Sequence, residues 1–365
     1  MSKKKVIYTL VLIGLAALIY LQIRTWRKFD WQSFKEQTEG VNIVLIAAGV
    51  AIIYFDYYLR AVRWRLLLKP MCETKTSKLV APTMIGFTAM ALLGRPGEFI
   101  RPFLIARKEG LTMSSQLAVW VVERLFDMGA FALIFAINLI VASDQLRNLP
   151  GFMYGPTRRI GHFNVSPYSF VVIFGFVLLA GVLVGALVAF RIRRNPDRAA
   201  GFVHRMLNPI SKKFAHSVSS RVHTFGEGLN TIHSFWTFVQ LFGLSVLLWL
   251  TIGGAYWCVT HAYADIGPDM TLASCFLLTG GSVAGGVLQL PVVGGGSQLA
   301  TIGILVGVFD YPKELAISAG MMLWLVTFMS IIPTGLVLTH FEHVSLRKLG
   351  KESKQEEEKV LEEQP

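Results

Sequence analysis

Glu98, Arg101, Glu123, Arg124 and Asp127 are the side chains best placed to do chemistry, because they lie in or beside apolar stretches where a charge is costly. The turn Gly94-Arg95-Pro96-Gly97 breaks one helix, so Glu98 falls in the first turn of the next. Free backbone N–H groups and the positive end of a helix dipole point outward there, which suits an anion. Arg95 adds a cation within the turn. Glu98 and Arg101 are three residues apart, share a face and can pair. The plainer alternative is an interfacial salt bridge that closes a cytoplasmic loop.

Glu123, Arg124 and Asp127 sit well inside a long apolar segment, and Glu123 and Asp127 share a face at i,i+4. An unpaired charge at such depth costs roughly 2.5 to 3.5 kcal/mol on insertion scales. They are therefore expected to face the interior and to pair with Arg95, Arg101, or Asp56 and Arg60. They either line the path of a charged group or serve structural pairing alone. Asp56 and Arg60 form a further i,i+4 pair. Arg63, Trp64 and Arg65 read as a headgroup-level anchor. A second broken turn runs Pro291-Val292-Val293-Gly294-Gly295-Gly296 into Ser297 and Gln298. It offers exposed N–H groups without formal charge, and Gly280, Gly281, Gly285 and Gly286 upstream allow close helix approach, or tight packing and nothing more.

Positioning such residues requires membrane-spanning helices. Of the 365 residues 53% are hydrophobic and 16% charged, and the mean hydropathy is +0.52, a composition for a polytopic membrane protein and against a soluble domain. A crossing helix needs about 20 apolar residues. By that measure the spans are 6–23, 41–62, 116–142, 166–190, 237–262 and 314–340. Two split pairs, 79–94 with 97–106 and 270–290 with 297–309, read as re-entrant hairpins, although 270–290 could span if it runs straight. With the N-terminus inside, only eight of the 35 basic residues fall outside, so both termini are expected to be cytoplasmic. The net charge of +12 is then retention of Lys and Arg on the cytoplasmic side, with no call for nucleic acid.

Each hairpin precedes a full span, and Gly94 and Gly294 are 200 residues apart, as are Leu125 and Leu325. The two units enter from opposite sides, which predicts an inverted repeat of the kind found in transporters. The expected fold is thus all-α, a transmembrane bundle of about six spans and two hairpins. Residues 1–345 form its domain, and 346–365 a charged cytoplasmic tail. Within the domain, 191–235 reads as surface helices lying on an anionic leaflet.

Cys72, Cys258 and Cys275 lack metal-ligand spacing and predict neither a disulfide nor a metal site. No P-loop, HExxH or GxSxG pattern occurs, so no cofactor and no catalytic set is expected. Lys3-Lys4-Lys5 and the following apolar run lack a small-x-small cleavage site and read as an uncleaved first span.

Three motifs in order, Arg60-Ala61-Val62-Arg63-Trp64-Arg65-Leu66-Leu67-Leu68, Gly94-Arg95-Pro96-Gly97-Glu98-Phe99-Ile100-Arg101 and Val122-Glu123-Arg124-Leu125-Phe126-Asp127, resemble the lysylphosphatidylglycerol synthase transmembrane-region family of flippase-like proteins. The resemblance implies a bacterial or archaeal inner-membrane protein handling lipids, phospholipid or lipid-linked sugar. It implies a polar path of Glu98, Arg101, Glu123, Arg124, Asp127, Asp56, Arg60 and Arg95. Gly294, Gly295, Gly296 and Gln298 would form the second broken turn, with Gln298 where the family usually carries an acid. The function expected is a flippase for a phosphate-bearing lipid. Its rivals are a membrane scaffold or accessory subunit for envelope lipid or glycan synthesis, and a lipid-modifying enzyme, for which the sequence lacks a nucleophile or metal set. Expected partners are membrane lipids with an anionic headgroup, with a homo-oligomer or an envelope-synthesis enzyme as further candidates.

Overall fold

The computed structural model describes residues 31–155, 158–160, 163–209, 216, 219, 235–286 and 295–342. The expected span 6–23, the tail 346–365 and most of 210–234 lie outside the described residues. Among those described, a short helix α1 (Trp31–Glu39) leads into α2 (Ile43–Leu68), α3 (Thr76–Leu93), a 3-10 turn (Arg95–Phe99) and α4 (Ile100–Glu109). Then come α5 (Met113–Val141), α6 (Pro167–Arg194), the short α7 (Pro196–Leu207) and α8 (Phe235–His261). The chain closes with α9 (Leu272–Gly285), α10 (Gly296–Gly307) and α11 (Lys313–Phe341). A two-stranded antiparallel ribbon, Arg158–Ile160 with Phe163–Val165, decorates the loop after α5.

Six of these helices, α2, α3, α5, α6, α8 and α11, are long and apolar enough to cross a membrane, as a polytopic all-α bundle requires. Five match the expected spans. α3 was expected to be too short, but it starts at the polar Thr76-Ser77-Lys78 and reaches 18 residues, about 27 Å of rise. In contrast, within the segment 270–290 the described helix α9 ends at Gly285 after 14 residues, shorter than the helices long enough to cross.

Both split pairs fold back on themselves. Gly94 ends α3 with φ of 72°, and the chain returns through the 3-10 turn and α4. The return is complete: Ile105 packs in one cluster with Leu79, and the Thr74 hydroxyl donates to the Glu109 carboxylate at 2.9 Å. A Cβ at Gly86 would overlap the Arg101 side chain, so this glycine lets α4 lie close against α3. In the second pair a Cβ at Gly285 would overlap the Gly296 carbonyl, which realises the close approach read from the glycines. The Tyr311 hydroxyl donates to the Ile266 carbonyl at 3.4 Å and holds the outer ends of that pair together.

The two hairpins open at opposite ends of the bundle. α11 runs between them. Its start lies beside the loops at 38 and 263, where the Ser318 hydroxyl is 2.9 Å from those of Thr38 and Tyr263. Its end reaches the first hairpin, where Lys108 pairs with Glu342 at 2.5 Å. This is the inverted arrangement that the 200-residue spacing predicts. α6 is apolar over nearly its whole surface and packs mainly on α5, as a lipid-facing helix does. α7 leaves Phe202 and Met206 exposed beside Arg198 and Arg205, consistent with a surface helix.

In a variant whose three native cysteines are replaced, Thr74→Cys with Glu109→Cys should cross-link through a short bis-thiol reagent. Thr74→Cys with Tyr311→Cys should not. Equal yields on denaturing gels would contradict the hairpin.

Candidate functional site

Four helices bring the ionisable side chains together. α2 presents Asp56, Arg60 and Arg63 on one stripe, four and then three residues apart. α4 contributes Arg101, α5 contributes Glu123, Arg124 and Asp127, and α8 supplies the neutral partners Ser245, Trp249 and Thr251. Glu123 lies ten residues into α5, about 15 Å along its axis, so the cluster is well inside the bundle.

Arg63 is the centre and is fully buried. Its Nη2 donates to Glu123 Oε1 at 2.6 Å and to Asp127 Oδ2 at 3.2 Å. Its Nη1 donates to Asp127 Oδ1 and to Ser245 Oγ, the latter at 2.7 Å. Arg101 donates to both oxygens of Glu123, Nη1 at 3.1 Å to Oε1 and Nη2 to Oε2. The Arg101 guanidinium also lies over the Trp64 ring, 4.2 Å from its centroid, and the Trp64 indole donates to Gln116 Oε1 at 3.1 Å. Beside this core Arg60 Nε donates to Asp56 Oδ2 at 2.6 Å, and the Thr251 hydroxyl donates to Asp56 Oδ1 at 3.2 Å. Trp249 ties α8 to α5 by donating to the Asp127 carbonyl at 2.9 Å.

Arg124 differs from the others. Its contacts to Glu123 and Asp127 are long, 3.4 and 3.3 Å, and both carboxylates are already engaged by Arg63 or Arg101. Its side chain is 37% exposed, and its Nε, like that of Arg63, is buried without a partner. A small cleft between α3, the 3-10 turn and α5 is lined by Phe87, Met90, Glu98, Arg101, Trp120 and Arg124. Arg124 and Arg101 are thus the cations that the cluster presents to its opening. Four guanidiniums face three carboxylates within the cluster, and arginine does not give up its proton in proteins. The cluster itself carries one positive charge in excess, and Glu98 brings a fourth carboxylate to the mouth of the cleft.

Two expectations are corrected. Glu98 does not pair with Arg101: among the described residues it has no ion-pair partner, because Arg101 turns inward to the dehydrated Glu123. A carboxylate buried without a counter-ion is far costlier than a part-exposed one, so the buried acid wins the arginine. Arg63 is not a headgroup-level anchor but the most buried cation of the site. The other assignments of position agree: Asp56 pairs with Arg60, and Glu123 and Asp127 turn inward and pair. Arg95 opens the 3-10 turn, and its side chain lies outside the described structure.

The second broken turn forms a different kind of place. Gly294 lies outside the described residues, while Gly295, Gly296 and Gln298 border a cavity of about 210 Å³. Tyr256, Ser282, Ser297, Thr301, Trp324 and Thr327 complete most of the described wall, and no lining residue among those described carries a formal charge. Among the described residues no group of acids, histidines and cysteines could hold a metal ion.

Fold and site together define a multi-pass α-helical membrane protein whose bundle encloses an arginine–carboxylate cluster. The chain belongs to the family described as the lysylphosphatidylglycerol synthase TM region, whose profile matches residues 8–335. Searches of curated proteins and of solved structures give no match. Family membership associates this membrane protein with lipid-related processes.

Removing Arg63 strands two buried carboxylates, so Arg63→Ala should destabilise the detergent-solubilised protein by about 3–5 kcal/mol. Arg124→Ala removes only long, part-exposed contacts and should cost under about 1 kcal/mol. Thermal or denaturant unfolding of the two variants checks this order, and equal losses would contradict the assignment of Arg63 as the centre.

Proposed function

We propose that the protein carries a phosphate-bearing lipid between the leaflets of a bacterial or archaeal cytoplasmic membrane, acting as a transporter rather than a catalyst. The observation that supports this best is the cluster's excess cation, Arg124. A structural network would be expected to close on itself, with each guanidinium saturated by carboxylate and hydroxyl partners. Arg101, and Arg63 in both its terminal nitrogens, approach that state. Arg124 is about one-third exposed (37%), loosely held and open to the cleft, so its vacant hydrogen-bonding capacity suits an anionic oxygen from outside the chain. Arginine presents a planar fork that matches phosphate geometry and binds it bidentately.

In this reading the first hairpin opens towards the cytoplasm, where the basic loops at 69–78 and 107–108 lie. A headgroup entering beside Glu98 meets Arg124, then Arg101 with its Trp64 and Phe87 rings. Arg63, Arg60, Glu123, Asp127 and Asp56 keep that entry polarised inside the low-dielectric bundle. They do so without reorganising, because each is already paired. Two hairpins opening at opposite ends provide an entry from either leaflet, which is the geometry an exchange between leaflets needs.

Leaflet exchange of labelled phospholipid in proteoliposomes tests this. Wild type should exceed protein-free vesicles. Arg124→Ala, which leaves the fold in place, should reduce exchange at least roughly tenfold, the effect of losing one charge-assisted contact of about 1.5–3 kcal/mol. A scaffold or accessory subunit would leave wild type at the protein-free rate.

A further inference from the structure

Away from the ion cluster, a groove of about 390 Å³ runs between α5 and α6 at the end of the bundle where the second hairpin opens. Ile140, on its wall, lies seventeen residues beyond Glu123 on α5, about 25 Å along the axis. The Gly151 amide donates to the Val308 carbonyl at 2.8 Å and fixes this end to the second hairpin. The lower wall is apolar, formed by Leu139, Ile140, Val172, Ile173 and Phe176. From Ser169 to Phe176 it extends about 10 Å along α6. That is about two-thirds of one leaflet's share of a hydrocarbon core roughly 30 Å thick.

The rim is cationic. Arg147 ends the short helix Ser143–Arg147 and is exposed, while its neighbour Leu146 is fully buried and anchors that helix. The Arg147 guanidinium lies over the Tyr168 ring, 5.1 Å from the centroid. That ring is itself fixed, by an edge contact with Phe152 at 5.7 Å and by its hydroxyl, which donates to the Leu139 carbonyl at 3.3 Å. Stacking occupies one face of the guanidinium and leaves its in-plane N–H fork open, the geometry that takes phosphate bidentately. Among the described residues Arg147 has neither an ion-pair nor a hydrogen-bond partner, and Asp144 on the same helix makes no ion pair with it. Of the two hydroxyls at this level, Ser169 is tied to Ser166 at 2.8 Å and Ser143 is free among the described residues. The loop sequence agrees: residues 142–166 hold Arg147, Arg158 and Arg159 against the single acid Asp144, on the side that charge bias leaves poor in arginine. A bare interfacial arginine needs no groove, and an apolar groove needs no cation. Together they match one molecule that has an anionic head and a hydrocarbon chain.

We infer that this groove binds one phospholipid of the leaflet opposite the mouth of the ion cluster, with its phosphate on Arg147 and an acyl chain along Ile140, Ile173 and Phe176. A single cation without a carboxylate partner favours a lipid of net negative charge over a zwitterion. The assignment stands apart from the transport reading, because the groove and the cluster share no residue and lie far apart along α5.

Short-range fluorescence quenching by brominated lipids tests the assignment. In a full-length variant whose native cysteines are replaced, Phe170→Cys places a bimane label at an exposed position one turn from Ile173. Phosphatidylcholine vesicles holding this protein receive brominated phosphatidic acid, whose headgroup is phosphate alone, or brominated phosphatidylcholine. Phosphatidic acid should be preferred at the label roughly fivefold, about 1 kcal/mol for one basic residue facing an anionic lipid. A label at Leu183→Cys, ten residues further along α6, should show no such preference. Arg147→Gln should abolish the preference. Ile173→Trp, which fills the groove and leaves the cation, should remove most of it. Equal quenching by the two lipids at Phe170→Cys, or a preference that survives Arg147→Gln, overturns the assignment. A preference untouched by Ile173→Trp also overturns it, by reducing the site to a bare interfacial cation. Protection of the label from both lipids does so as well, since a second copy of the chain seated in the groove would give that result.

Discussion

One carboxylate organises the first half of this molecule. Glu123 is fully buried, and Arg63, Arg101 and Arg124 all direct guanidinium nitrogens at it. Dehydrating an ion is expensive enough that a single partner seldom offsets it, and the remaining lone pairs must be met as well. The fold supplies them from three different helices. α2, α4 and α5 are thereby fixed in relative position by the needs of one side chain, and α8 is drawn in through Ser245 on Arg63 and Trp249 on the Asp127 carbonyl. The apolar packing around the cluster, from Ala61, Trp64 and Leu67 to Val119, Val122 and Leu241, keeps water out and makes each ionic contact stronger. In a lipid solvent, where burying apolar surface between helices gains little, polar contacts of this kind give the helix arrangement its specificity.

The inverted partner unit solves the same packing problem without ions. Glycines at 281 and 285 bring α9 against α10, and hydroxyl pairs replace guanidinium–carboxylate pairs. The consequence is a difference in what each half can accept. A charge entering the first half finds compensating charge already in place, whereas a charge entering the second finds dipoles and aromatic faces alone. Two halves related by pattern but not by residue therefore present different chemistry, ionic in one and neutral in the other.

Much of this was legible in the sequence. The hairpins announce themselves by Gly94-Arg95-Pro96-Gly97 and by the glycine run after Pro291, and the inversion follows from their 200-residue spacing with charge bias between loops. Asp56 with Arg60 and Glu123 with Asp127 show their faces by i,i+4 spacing. What misled was local context. Arg63 stands between Val62 and Trp64 with Arg65 beyond, a sequence that resembles an interfacial belt. Yet Asp56, Arg60 and Arg63 recur at i, i+4 and i+7, one stripe of α2, while Arg65 falls on another face and is exposed. That periodicity was the available signal. The pairing of Glu98 failed for a different reason: spacing says which residues can meet, and burial decides which must.

α11 links the two halves, and its interruption follows from that task. Its first part, Lys313–Trp324, packs on α10 of the second hairpin, where Gly320 admits the Ile302 side chain. Its last part, Ile331–Phe341, packs on α3 of the first, where Gly335 admits Thr88. Between them the helix widens to the π form, and Pro333 then removes one backbone donor from the ladder. Beside this turn the Tyr54 hydroxyl donates to the Ser330 carbonyl at 2.9 Å and lies 2.6 Å from Thr334 Oγ1, tying the interrupted turn to α2. Tyr54 lies two residues before Asp56 on α2. The joint in α11 is therefore held by the helix that carries the ion cluster and opens onto the cavity of the other half.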